Sequence, residues 1–146
     1  METWELVARE RIRDLVARYA HAVDRGRFDE LVALFSDTGV LELPDGRTAQ
    51  GHANIRTLLQ ATGTSLRATT VVPWVRHHVT SHVITTQDPT NAEGFAYFFV
   101  VTERGPDHWG RYHDHYVAAG DGWRFARRRV RLDGYAAGSW AASRRP

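Results

Sequence analysis

At 146 residues the chain has room for one domain, taken as 1–146, which buries about two thirds of the surface its unfolded form exposes. Apolar residues at 42% and charged residues at 25% exclude bulk disorder, the absence of cysteine excludes disulfides and thiol chemistry, and the absence of lysine excludes Schiff-base chemistry. A net charge of +2, from nineteen arginines against seventeen acids, is too small to single out nucleic acid as a partner.

The first residues are charged and periodic where a secretory leader needs an unbroken apolar core, and nowhere is there a run of about eighteen apolar residues. A cytoplasmic protein without membrane contact is expected. From Thr3 to Val23, Leu6, Val7, Ile12, Leu15, Val16, Tyr19, Ala20 and Val23 recur at three and four, the stripe of an amphipathic helix with Thr3 as its N-cap. Asp24-Arg25-Gly26-Arg27 breaks the pattern, and Phe28 to Phe35 forms a short second helix, leaving Asp24 at the first helix's exit. Ser36-Asp37-Thr38-Gly39 has turn chemistry; the alternation Val40 to Leu43, followed by Asp45-Gly46, predicts a small β-hairpin. Gly51 to Thr62 reads as a third helix stopped by Gly63, and Thr64 to Pro73 as an irregular connection.

Beyond Pro73 the period changes from 3.6 to 2. Trp74 to Thr85, Ala92 to Thr102, His108 to Ala118 and Trp123 to Leu132 read as long strands, and the short polar links between them imply an antiparallel meander. Helices first and strands afterwards define an α+β fold, with the helices packed on one face of a curled sheet. The arginine-rich stretch Arg124, Arg127, Arg128, Arg129 and Arg131 is expected to decorate a solvated strand and to bind no nucleic acid. From Asp133 the tail is rich in Gly, Ala and Ser, with Tyr135 and Trp140 as its large anchors.

Strand alternation separates the histidines. Val75, His77, Val79, Ser81 and Val83 share the buried face, whereas Arg76, His78, Thr80, His82 and Ile84 share the outer one. His77 is then either a satisfied core histidine or a functional one. Tyr19 lies on the apolar stripe and its hydroxyl needs a partner, while Asp24 meets the unfavourable end of the helix dipole. Such a carboxylate is either a turn residue or a functional group placed against its local structure. Farther along, Gly110, Tyr112, Asp114 and Tyr116 share the face favoured as inward, Gly110 leaving room for a ligand. The opposite pair His113-x-His115 has the spacing of metal ligands, but no carboxylate or third histidine stands at a telling distance in the chain, so no metal is expected.

The segments Tyr19-Ala-His-Ala-Val-Asp24-Arg-Gly-Arg-Phe-Asp-Glu-Leu, Phe35-Ser-Asp-Thr-Gly39, Arg76-His77-His78-Val79-Thr80, Gly110-Arg-Tyr112-His-Asp114 and Asp121-Gly-Trp123-Arg-Phe resemble, in order and spacing, the SnoaL-like branch of the nuclear-transport-factor-two-like superfamily. The resemblance covers about Glu5 to Leu132, leaving 133–146 as a tail. It implies a cone-shaped α+β barrel, with the N-terminal helices in the concave face of a curved, mixed, mainly antiparallel sheet. The pattern is most similar to scytalone dehydratase, bile-acid 7α-dehydratase and hexachlorocyclohexane dehydrochlorinase, which use no metal or organic cofactor and eliminate by means of a His–Asp pair. Motif by motif, the resemblance places the histidine at His77, the aspartate at Asp24 and the dehydratases' tyrosine at Tyr19. It departs at Thr102, where the dehydratases carry a second acid or base.

These residues imply a general base His77 oriented by Asp24, with Tyr19 as donor to a developing oxyanion. Phe35, Trp74, Phe98, Thr102, Tyr112 and Asp114 are the expected substrate contacts. The expected function is a cofactor-independent lyase, isomerase or cyclase acting on a small hydrophobic substrate of polyketide, steroid-like or aromatic type. The alternatives are a non-catalytic ligand-binding module or the small subunit of a ring-hydroxylating dioxygenase. A homodimer or homotrimer through the outer sheet face is implied by the resemblance.

Overall fold

The computed structural model describes residues 1–69 and 74–144. Helix α1 (Thr3–Arg25) follows the apolar stripe, but its cap is Glu2 rather than Thr3, because Glu2 and Glu5 close a reciprocal capping box in which the Glu2 N–H donates to Glu5 Oε2 at 2.6 Å. Gly26 stops the helix at φ 64°, a left-handed conformation that glycine adopts without a Cβ penalty, and donates to the carbonyls of Ala22 and Val23. Helix α2 (Phe28–Val32) ends sooner than expected. Phe35 instead opens β1 (Phe35–Glu42), which absorbs the Ser36–Gly39 turn as a register shift within the strand. With β2 (Thr48–Gln50) it makes the expected hairpin. Helix α3 (His52–Thr69) runs through Gly63. A mid-helix glycine costs about 1 kcal/mol, and here its bare Cα faces the Phe28 ring, which a Cβ would meet at 3.6 Å. The connection expected from Thr64 is therefore helical to Thr69, and its remainder, 70–73, lies outside the described residues.

Strands β3 (Val75–Asp88), β4 (Asn91–Thr102), β5 (Gly105–Ala119) and β6 (Gly122–Tyr135) form the antiparallel meander. The sheet order is β2-β1-β6-β5-β4-β3, open at both edges, with β1 parallel to β6. Ile12, Leu15, Val16 and Tyr19 of α1 pack against Phe35, Leu41, Tyr116 and Phe125 of the sheet, and Ile55 and Leu59 of α3 complete the core. A smaller cluster, Ala96, Phe98, Val100 and Tyr112, continues the inner face toward the far ends of β4 and β5. Near that cluster the helices and the sheet leave a space that side chains do not fill.

Two β-bulges redirect side chains that strict alternation misplaces. On β3 the pairing passes from Thr80↔Tyr97 to Val83↔Phe95, and Ser81 takes φ 51°. The extra residue flips every later side chain: His82 and Ile84 turn inward, and Val83, expected inside, is 62% exposed. On β6, Ala126 is the extra residue between Phe125↔Tyr116 and Arg127↔His115. Arg128 thereby points into the core with no exposed surface, contrary to its expected place on a solvated strand. Gly110 is also inward, but it leaves no room for a ligand: a Cβ there would lie 1.9 Å from the carbonyl oxygen of Arg131.

Candidate active site

The stop at Gly26 leaves Asp24 in the last turn of α1, beside the start of β3. Its carboxylate accepts the His77 main-chain N–H at 3.1 and 3.2 Å, and Oδ1 lies 2.6 Å from His77 Nδ1. These donors offset the adverse helix dipole. Because a carboxylate only accepts, Nδ1 carries the shared hydrogen, and the lone pair of the neutral ring is left on Nε2. The side chains of His77 and Asp24 are only 16% and 8% exposed, which shelters the pair from competing water.

Both residues border a cavity of about 600 Å³, within the size range of small-molecule sites. Its apolar wall comes from Val23, Phe28, Leu31 and Leu59 of the helices and from Val75, Phe98, Val100 and Val130 of the sheet. Tyr19, Thr102 and Tyr112 also border it, so the cavity gathers Tyr19, Asp24, His77, Phe98, Thr102 and Tyr112 among the expected site residues. Phe35, Trp74 and Asp114 lie elsewhere. Phe35 is core, its ring 6.2 Å from that of Tyr19; Trp74 is 41% exposed beneath the Arg76 guanidinium; Asp114 is fully buried against Arg128. Thr102 serves the β4–β5 turn as well: its Oγ1 accepts the Arg104 N–H at 3.3 Å.

A second imidazole–carboxylate pair faces the same cavity, and sequence reasoning missed it. His108 Nδ1 lies 2.7 Å from Asp107 Oδ2, and Asp107 also accepts the main-chain N–H groups of Trp140 (2.9 Å) and Ala141 (3.3 Å). Burial alone would raise the Asp107 pKa, but the hydrogen bonds from His108, Trp140 and Ala141 outweigh it and hold the carboxyl below its usual range. The His77 and His108 rings are 6.5 Å apart and nearly perpendicular. Alternation starts the strand at His108 and leaves Asp107 in the preceding link, whereas β5 begins at Gly105. The adjacent Asp-His dipeptide was the available signal.

Beneath the cavity floor, Arg128 makes a bidentate pair with Asp114, Nε to Oδ1 at 2.9 Å and Nη2 to Oδ2 at 2.7 Å. Its guanidinium is stacked 4.0 Å from the Tyr112 ring, 4.2 Å from Tyr19 and 4.3 Å from Phe125. Burial would lower the Arg128 pKa, yet the Asp114 charge and hydrogen bonds raise it, so the group stays charged. Burial raises the pKa of Tyr19 and Tyr112 against the opposing charge of Arg128, keeping both phenols protonated as hydrogen-bond donors. Asp114 also accepts the Tyr116 hydroxyl at 2.9 Å. Tyr116 Oη is in turn 3.2 Å from His82 Nε2, which therefore donates to it.

This α+β cone is shared with solved structures of the NTF2-like class. The chain is similar to a protein from Novosphingobium aromaticivorans named for scytalone dehydratase, with TM-score 0.80 and 23% identity over 93% of this chain and 91% of that one. It is also similar to an NTF2-like protein with a cystatin-like fold from the same organism, with TM-score 0.77 and 26% identity over 93% and 88% of the two chains. LinA matches with TM-score 0.79 and 17% identity over 92% and 93%. Within that class the chain belongs to the SnoaL-like domain family, whose model matches residues 4–129. Among curated proteins none matches.

Proposed function

We propose that the chain is a proton-transfer enzyme, a lyase, isomerase or cyclase that uses its own side chains as acid and base on a small hydrophobic carbonyl compound. The observation that carries this reading is the 2.6 Å contact between His77 and Asp24 at the edge of a sheltered apolar cavity. His77 Nε2 takes the proton from the carbon beside the carbonyl. The C–H electron pair becomes the new C=C bond, and the carbonyl π pair moves onto oxygen. Tyr19 donates a hydrogen bond to that oxygen as its charge grows, and Asp24 supports the imidazolium. His108, held by Asp107, is the second proton carrier. It protonates a leaving group in an elimination, or another carbon of the enolate in an isomerisation. The relative named for scytalone dehydratase supports the elimination form.

The same reading includes a homodimer or homotrimer. It is supported by the exposed Val83, Phe95, Tyr97, Phe99 and Trp109 on the outer sheet face, a cluster that a lone chain leaves in water. Among the described residues no helix is long and apolar enough to cross a membrane.

The test is deuterium exchange at the α-carbon of a panel of aryl and polycyclic ketones in D₂O, followed by NMR. Exchange above the buffer rate is expected for at least one ketone, falling about 10²–10⁴-fold in His77→Ala and Asp24→Asn. Binding that shifts protein resonances without any exchange would make the cavity a ligand-binding module and refute the catalytic reading.

A further inference from the structure

On the outer face of the sheet, away from the cavity, Glu93 of β4 stands directly across from His115 of β5, and His113 lies two residues along on the same side. One ligand atom from each of the three falls within 4.8 Å of the other two. His115 Nδ1 is 3.4 Å from Glu93 Oε1, and the two imidazole centroids are 5.0 Å apart. Phe95, opposite His113, stacks on its ring at 4.2 Å and 19°, which fixes the ring plane. His113 Nε2 is buried and has no hydrogen-bond partner among the described residues. The chain spacing gave two imidazoles, and strand pairing adds the carboxylate that the sequence placed twenty residues away.

We propose that Glu93, His113 and His115 bind one transition-metal dication of the zinc, nickel or copper kind per chain. Two imidazoles and a carboxylate suit such ions, whereas magnesium and calcium prefer oxygen ligands alone. The ligands stand on paired strands, so rotamer changes rather than backbone movement bring them to the ion. Arg127 and Arg129, cross-strand from His115 and His113, weaken the site by their charge. Both are drawn to Glu42, at 2.7 and 3.1 Å, and that carboxylate also takes Arg131. The site is therefore weaker than its three ligands alone would make it. It is independent of the cavity, which lies on the other face of the sheet.

The test titrates zinc chloride into the metal-free full chain by calorimetry. His77→Ala/His108→Ala serves as the background, so that the cavity histidines contribute nothing. One saturable zinc per chain is expected, with at least about tenfold weaker binding in His113→Gln, His115→Gln and Glu93→Gln, and no competition by magnesium. Copper EPR of the same background needs no change at the site, and nitrogen hyperfine splitting from two imidazoles is expected. Zinc binding unaffected by His113→Gln and His115→Gln, absence of saturable binding, or an oxygen-only copper spectrum would overturn the proposal.

Discussion

Single residues decide which groups in this chain are chemically poised and which are only buried. His82 is the clearest buried case: desolvation lowers its pKa to about 4 against an ordinary 6.5, so it remains neutral and donates to Tyr116. The unfolded chain takes up that proton first as pH falls. The His82 contribution therefore leaves stability unchanged above about pH 6.5, lowers it progressively down to about pH 4, and adds no further loss below. Urea midpoints measured at pH 7 and pH 4.5 should fall more in the native chain than in His82→Gln; equal falls would contradict the assignment. Periodicity placed Tyr19 and His77 on inward faces and Asp24 at a helix exit, because each precedes any irregularity in its element, and the family resemblance then joined them as one site. Residues past a bulge or ahead of an expected strand start did not read out: His82 and Arg128 follow one inserted residue each, and Asp107, the partner of His108, precedes the expected start of a strand that begins at Gly105.

At the level of elements, close approach governs. Helices and strands were visible as a change of period, but their ends were not, since tertiary contacts carried α3 through Gly63 and drew Phe35 out of α2 into the sheet. The parallel β1–β6 pairing, formed by elements far apart in the chain, left no local mark beyond the family resemblance. Gly110 belongs to the seam between β5 and β6, where the pairing jumps from Trp109↔Gly134 to Gly110↔Leu132. A methyl group there would overlap main-chain oxygen at 1.9 Å, and backbone has little freedom to yield. Gly110→Ala should thus cost more than the 1–3 kcal/mol typical of overpacking, seen as a lost or much lowered melting transition. A melting point within a few degrees of the native chain would show that the seam is looser than described.

Across the whole molecule, the helices and the sheet enclose one cavity among the described residues that gathers groups from α1, β3, β5 and the tail. The tail joins through the main-chain N–H groups of Trp140 and Ala141, which donate to Asp107 and help to fix the second pair. The floor rests on the Arg128–Asp114 pair, fully removed from water. Arg128→Met leaves Asp114 buried without its cation, a change worth about 3–5 kcal/mol. That is a large share of the roughly 5–15 kcal/mol holding a domain together. Denaturant unfolding should register it, and a loss under about 1 kcal/mol would mean that neither the ion pair nor the guanidinium stack supports the floor.

The central claim is that Asp24 holds His77 with its hydrogen on Nδ1 and its lone pair on Nε2. Nitrogen-15 NMR of the histidine rings reads this directly. The account predicts, for His77, a protonated Nδ1 with a strongly downfield proton and an Nε2 shift typical of a bare ring nitrogen, both lost in Asp24→Asn. A His77 ring bearing its hydrogen on Nε2, or averaging between tautomers as free imidazole does, would contradict it.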